Sequence, residues 1–183
     1  VTMLQSPLQE AGRAGALLTI DLRALRANYR YLQGRLGKAA CGAAVKADAY
    51  GLGAIPVSKA LVDEGCSHLF VAQLEEAISL RAHIPRDVAI YVMHGSPVGY
   101  EAEFIEYGCT PVLNSLDQIA AWRKLAHARQ ENLPAVIQID TGMARMGLSQ
   151  AELITWLNDF SITEGIDVRY AMSHLACAED QLD

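Results

Sequence analysis

Residues Val88-Ala89-Ile90-Tyr91-Val92-Met93 form an unbroken apolar run with a high content of strand-forming side chains. A strand with one wet face alternates apolar and polar positions, so a run without alternation must be covered on both faces, as in a parallel sheet clad in helices. Parallel neighbours need a crossover between them, usually a helix, and the sequence supplies one each time. Strands are expected near residues 17–20, 41–46, 68–72, 88–94, 110–113, 135–140 and 168–174. Helices are expected near 54–64, 74–83, 100–107, 116–129 and 150–157. An earlier helix begins after Asp21, a capping residue, and carries Leu22, Leu25, Tyr29, Leu32 and Leu36 at steps of three and four until Gly37 ends it. Ser149-x-x-Glu152 is a capping box ahead of the last helix. Alternating βα units of this kind specify an α/β fold, either a barrel or an open sheet. No GxGxxG and no Walker loop occurs, so a dinucleotide-binding open sheet has no phosphate motif to support it.

Composition narrows the function classes. The chain is 51% hydrophobic and 20% charged, which suits a folded core and argues against disorder. Its formal charge is −6 with acids and bases interspersed, so the basic stripe of a nucleic-acid binder is missing. No apolar segment approaches the ~20 residues of a membrane span, and residues 1–13 lack the basic-then-apolar order of a secretory signal. Cys41, Cys66, Cys109 and Cys177 are far apart in sequence without a CxxC pair, which reads as buried reduced thiols in a cytoplasmic protein rather than metal ligands.

Polar residues gather at one end of the strands. Lys46, His94, Asn114, Asp140 and His174 each stand at or just past the C-terminal end of an expected strand, the end at which barrel enzymes build their sites. Lys46 is one of four lysines and sits where an apolar strand runs into a Gly-containing loop, Ala47-Asp48-Ala49-Tyr50-Gly51-Leu52-Gly53. A lysine at a strand end ordinarily snorkels to solvent. Partial desolvation there would instead disfavour its ammonium and expose the neutral amine needed to attack an aldehyde.

Val45-Lys46-Ala47-Asp48-Ala49-Tyr50-Gly51-Leu52-Gly53 resembles the cofactor-lysine signature of the alanine racemases, pyridoxal 5′-phosphate enzymes with an N-terminal (β/α)8 TIM barrel and a C-terminal β domain. The resemblance implies that Lys46 carries the cofactor as a Schiff base and serves as one catalytic base, and that Tyr50 reaches the cofactor phosphate. Leu52 stands where many relatives have histidine. Asp140-Thr141-Gly142-Met143-Ala144-Arg145-Met146-Gly147 is similar to a second signature of the family, by which Arg145 orients the substrate carboxylate and a catalytic tyrosine. Gln138 occupies a position that is often a carbamylated lysine in relatives; an amide cannot be carbamylated, so Arg145 would be held by an amide oxygen, by an anion from solution, or by nothing. Met172-Ser173-His174 is similar to a third segment, whose histidine packs on the pyridine ring. Leu17 to Leu22 also matches, in a strand that relatives add to the C-terminal domain.

The expected organisation is a leading strand and helix over residues 1–36 and a partial barrel over 37–183, with no metal. Six strands follow the first, whereas a closed barrel takes about 250 residues. A fragment is therefore expected, inactive on its own and prone to self-association through open edges. The implied activity of the whole protein is interconversion of L- and D-alanine by two-base proton transfer, in a cytoplasmic homodimer supplying D-alanine for the cell wall. Two alternatives remain: a racemase for serine or for several amino acids, and a non-catalytic pyridoxal-phosphate carrier.

Overall fold

The computed structural model describes residues 15–178. Helix α1 (Leu22–Arg35) starts as expected at Asp21, whose Oδ1 accepts the Arg23 N–H at 2.8 Å and the Ala24 N–H at 3.3 Å. Of its apolar stripe, Tyr29 is buried and Leu22 and Leu25 pack on the core, but Leu32 and Leu36 stand exposed. The C-terminal half of the helix outruns the layer beneath it. Arg26 and Arg30 on its polar side reach Asp63 and Glu64, at 2.7 and 2.8 Å.

Beyond α1 the chain alternates as the apolar runs demand. The order is β1 (Ala43–Ala44), α2 (Ala54–Val62), β2 (His68–Val71), α3 (Leu74–Arg81), β3 (Ala89–Val92), α4 (Glu101–Tyr107), β4 (Thr110–Leu113), α5 (Leu116–Arg129), β5 (Leu133–Gln138), α6 (Gln150–Asn158), a 3-10 turn (Phe160–Thr163) and β6 (Ile166–Met172). A short helical segment, Lys46–Gly51, lies between β1 and α2. All six strands are parallel, and each lies beside its predecessor in the order β1 to β6. A doubly wound sheet reverses strand order at a switch point, whereas a barrel does not. The architecture is thus a barrel arc, with β1 and β6 as its free edges among the described residues.

Burial on both faces explains the missing alternation. Leu69, Val71, Ile90, Val92, Leu113, Ala135 and Ile137 point outward into the main core beneath the helices. Their neighbours Phe70, Ala89, Tyr91, Val112, Val136 and Met172 form a separate layer on the concave side. Tyr91 anchors that layer: its ring stacks on Phe70 with centroids 4.8 Å apart, and its hydroxyl lies 3.0 Å from His68 Nδ1. Under α3, the buried Arg81 guanidinium donates to the carbonyls of Pro85, Val88 and Gly108, fastening the loops that precede β3 and β4.

Three expectations need correction. Residues 17–20 form no strand, and Leu17 and Leu18 are exposed, because no strand lies beside them among the described residues. The expected strand over 41–46 shortens to Ala43–Ala44, since the backbone turns before Lys46. Cys66 and Cys109 are buried free thiols, but Cys41 is half-buried and Cys177 exposed, the latter lying in the loop after β6. No helix among the described residues is long and apolar enough to cross a membrane.

Phe104 and Trp122 meet edge to face at 5.8 Å, both fully buried between α4 and α5. Phe104→Ala should lower unfolding free energy by about 3–5 kcal/mol, by transfer and cavity terms together. Urea titration of the full-length protein checks this, and a loss below about 1 kcal/mol would mean that the α4–α5 layer repacks freely.

Candidate active site

The end of β1 sets the geometry of the candidate lysine. Val45 completes the ladder with its N–H donating to Phe70 O at 2.8 Å, and the chain then enters a turn of left-handed helix. Ala47, Asp48, Ala49 and Tyr50 have φ between 51° and 57°. Side chains other than glycine avoid this region because Cβ crowds the following carbonyl. Four bonds hold the turn: Ala49 N–H to Val45 O at 2.9 Å, Gly53 N–H to Asp48 O at 2.9 Å, Ala54 N–H to Asp48 Oδ1 at 2.7 Å and Ala47 N–H to Glu76 Oε1 at 2.6 Å. Val45 and Ala49 are buried on its inner side. Lys46 and Tyr50, each the next residue along, line the cavity on the other side, with the Lys46 Nζ 5.9 Å from the Tyr50 ring centroid. The sequence pointed to a loop here; the structure replaces it with a strained, hydrogen-bonded turn.

The loop after β5 presents the candidate arginine. Leu148 comes back to lie parallel beside Ile139, its N–H donating to Gln138 O at 2.7 Å while its carbonyl accepts from Asp140 N–H at 3.0 Å. Gly147 makes this return possible: a Cβ there would sit 2.7 Å from Asp140 N, and its φ is +105°. Inside the loop, Asp140 Oδ1 accepts the N–H groups of Gly142 at 2.9 Å and Ala144 at 3.0 Å. These backbone donors, Ala144 first and then Gly142, hold the Asp140 carboxyl below the usual aspartate range. Ala144 is left-handed, with φ 54°, and this re-aims the chain at Arg145.

Lys46, Tyr50, His94, Gln138, Arg145 and His174 line one cavity of about 650 Å³ at the C-terminal ends of the strands. That volume lies within the ordinary range for small-ligand sites. Among the described residues, no aspartate or glutamate lines the cavity, and neither Lys46 nor Arg145 has an ion-pair partner. Two unpaired cations in an acid-free recess make a site for an anion. Gln138 is buried, with its Nε2 donating to Met146 O at 3.4 Å and its Oε1 lacking a partner. The amide oxygen therefore does not hold Arg145, which settles one of the possibilities raised by the glutamine. His174 donates from Nδ1 to Leu175 O at 2.8 Å, and its other ring nitrogen has no partner among the described residues.

Of the five strand-end polar residues, three reach the cavity: Lys46, His94 and His174. Asn114 does not. Its Nδ2 donates to Met93 O and Val112 O, tying β3 to β4. Asp140 shapes the arginine loop instead of facing the cavity. Sequence reasoning missed Gln73 and Glu76, which fix the cavity wall: Gln73 Nε2 lies 2.8 Å from His94 Nδ1, and Glu76 binds the lysine turn. Their only sequence signal was Gln73 three residues before Glu76, a helix-capping pattern.

Comparison with known proteins converges on one family. The model of the alanine racemase N-terminal domain matches residues 20–183. A catabolic alanine racemase of Mesorhizobium japonicum is 48% identical over 174 residues, which is 95% of this chain and 45% of the relative. The alanine racemase of Brucella ovis is 44% identical over 167 residues, 91% of this chain and 42% of its own length. Among solved structures, alanine racemase from Bartonella henselae, described with covalently bound pyridoxal phosphate, superposes with a TM-score of 0.85 at 42% identity, covering 88% of this chain and 47% of that one. The chain thus spans less than half the length of these relatives.

Asp140 generates a pH prediction. Its folded pKa is depressed, so the stabilisation it gives the loop is present above the ordinary aspartate value and is lost as pH falls through the lower folded value. Amide protection across residues 141–147 should therefore persist down to the ordinary aspartate pKa of about 3.9 and collapse below it. Asp140→Ala should lose that protection at every pH. Hydrogen exchange checks both, and equal protection in the variant would mean that the carboxylate is not what holds the loop.

Proposed function

The chain belongs to the alanine racemase family, whose N-terminal domain it carries, and from that premise we propose that the full-length protein interconverts L- and D-alanine using pyridoxal 5′-phosphate held on Lys46. The reading is carried by one observation: an acid-free cavity at the strand ends gathers Lys46, Tyr50, Arg145 and His174. These residues suit the cofactor. An aldehyde requires an amine, a phosphate requires cations and donors, and an aromatic ring requires a flat neighbour; the cavity offers each without an opposing carboxylate. Bound there, the cofactor supplies an electron sink that acidifies the proton on the substrate α-carbon.

Lys46 would hold the cofactor through Nζ, and the same amine, when free, would take or return the α-proton on one face. Tyr50, on the same turn, would offer its hydroxyl to the phosphate. His174 would pack against the ring, its orientation set by the bond from Nδ1 to Leu175 O. Arg145 offers a planar fork to the substrate carboxylate. A base on the opposite face completes the racemisation and is not assigned to any residue described here. We further propose a homodimer in the cytoplasm, with D-alanine directed to cell-wall synthesis. A second reading, consumption of alanine as a nutrient, is favoured by the catabolic naming of the Mesorhizobium relative.

Two measurements on the full-length protein test the proposal. After incubation with pyridoxal phosphate and borohydride, peptide mapping should find the label on Lys46; label on Lys38, Lys59 or Lys124 overturns the assignment. Arg145→Ala should cost roughly 2–5 kcal/mol of transition-state binding, about 30- to several-thousand-fold in kcat/KM, because a charge-assisted pair to the substrate is lost. Labelling at Lys46 should survive, since it does not need substrate. Wild-type kcat/KM in that variant would make Arg145 an ordinary loop residue.

A further inference from the structure

Glu76 does more than its place in α3 requires. It is the third residue of that helix, and its Oε2 accepts both N–H groups of the entry, Ala72 at 2.7 Å and Gln73 at 2.9 Å. That alone would satisfy a helix-capping glutamate. Its second oxygen, however, reaches out of the helix to the N–H of Ala47 at 2.6 Å, the shortest of the bonds that hold the left-handed turn. Ala47 is the residue after Lys46 and the first of the turn with positive φ. No other acceptor among the described residues takes its N–H.

The same carboxylate also steadies a second wall. Gln73, whose N–H it accepts, holds His94 Nδ1 at 2.8 Å, and His94 lines the cavity with Lys46. One anion thus ties the end of β1 to the end of β2 and, through Gln73, to the end of β3. It does so without lining the cavity itself, so its charge does not compete for an anionic ligand.

We infer that Glu76 is a positioning residue for Lys46: its carboxylate clamps the Ala47 N–H, and this fixes the left-handed turn that presents the lysine amine and Tyr50 to the cofactor. The inference rests on the proposed function. Bonds to charged acceptors are the strong class, and strained backbone persists only where its surroundings over-determine it. Without the clamp the first left-handed residue is free to relax, and Lys46 with it.

Glu76→Gln separates the two duties. Its single carbonyl oxygen can serve the two α3 donors, while its NH2 then faces the Ala47 N–H, donor against donor. Glu76→Asp is a second variant, which keeps a carboxylate at the helix entry but is a methylene too short to span to Ala47. Glu152→Gln is the control, because Glu152 likewise bridges two backbone donors, Ser149 N and Leu116 N, away from the lysine.

Two readouts apply to the full-length protein. The first is amide exchange at Ala47 without cofactor; the second is the rate at which pyridoxal phosphate becomes borohydride-fixed on Lys46. Both Glu76 variants should speed Ala47 exchange and slow labelling by about tenfold or more, the scale of a lost bond to a charged acceptor. Exchange across 77–81 should change less than Ala47, and Glu152→Gln should move neither readout. Should Glu76→Gln fail to fold, Glu76→Asp carries the test. Wild-type Ala47 exchange or wild-type labelling in the variants overturns the inference, and so does exchange rising equally along α3, which would make Glu76 a helix cap only. Such failures with normal wild-type labelling sink this inference alone; a wild type that takes no label on Lys46 sinks the functional reading and this inference with it.

Discussion

The site depends on a backbone conformation that its own residues disfavour. Each left-handed residue other than glycine costs roughly 1–2 kcal/mol, and the turn contains four in succession, Ala47 to Tyr50. Their combined cost, about 4–8 kcal/mol, overlaps the lower part of the 5–15 kcal/mol by which an entire domain is typically stable. The turn therefore exists only because it is fastened from outside: by the buried Val45 and Ala49, by the Asp48 contacts to Gly53 and Ala54, and by Glu76 on Ala47. A right-handed turn would also put Lys46 and Tyr50, four residues apart, on one face, but it would send that face off the strand end in another direction. The four-residue spacing pairs the amine and the phenol, and the left-handed hand of the turn sets the direction in which the pair faces the cavity.

That dependence explains which parts of the molecule are legible in sequence. The barrel arc was readable because its cause is local: apolar runs such as residues 88–93 must be buried on both faces, and the helices between them carry their own caps. Ser149 with Glu152, Asp21 and Gly37 behave as their chemistry requires. The left-handed turn was not readable, since Ala-Asp-Ala-Tyr has no local preference for positive φ and the deciding acceptor lies 29 residues away. Leu32 and Leu36 show the converse. Their helical spacing is correct, but periodicity cannot reveal that the layer beneath α1 ends before they do.

Within the site, motif resemblance named the side chains, and the structure supplied what aims them. Arg145 was legible as a residue but not as a geometry, which rests on the Asp140 nest, the left-handed Ala144 and a Gly147 that admits no Cβ. Asp140 itself looked like a site carboxylate from its strand-end position. Its two backbone donors show that it builds the loop instead. Gln138 looked like a loose partner for Arg145, yet its amide is buried, with Nε2 on Met146 O and Oε1 unpaired.

A common rule connects these residues. The carboxylates that brace the lysine turn and the arginine loop, Asp48, Glu76 and Asp140, all accept backbone N–H groups, and none pairs with a cation among the described residues. Negative charge is spent on bending the chain, next to the site but outside its lining. Among the described residues, Lys46 and Arg145 are consequently left without counter-ions, and their field is directed into the recess. Had Asp140 or Glu76 instead paired with either cation, the recess would be closer to neutral and the lysine amine tied to its neighbour. An ionic lock would stabilise the turn as well as a backbone clamp does, but it would consume the charge that an anionic ligand needs. Shaping loops with carboxylate–amide bonds lets one stretch of chain be both strained into position and electrostatically open.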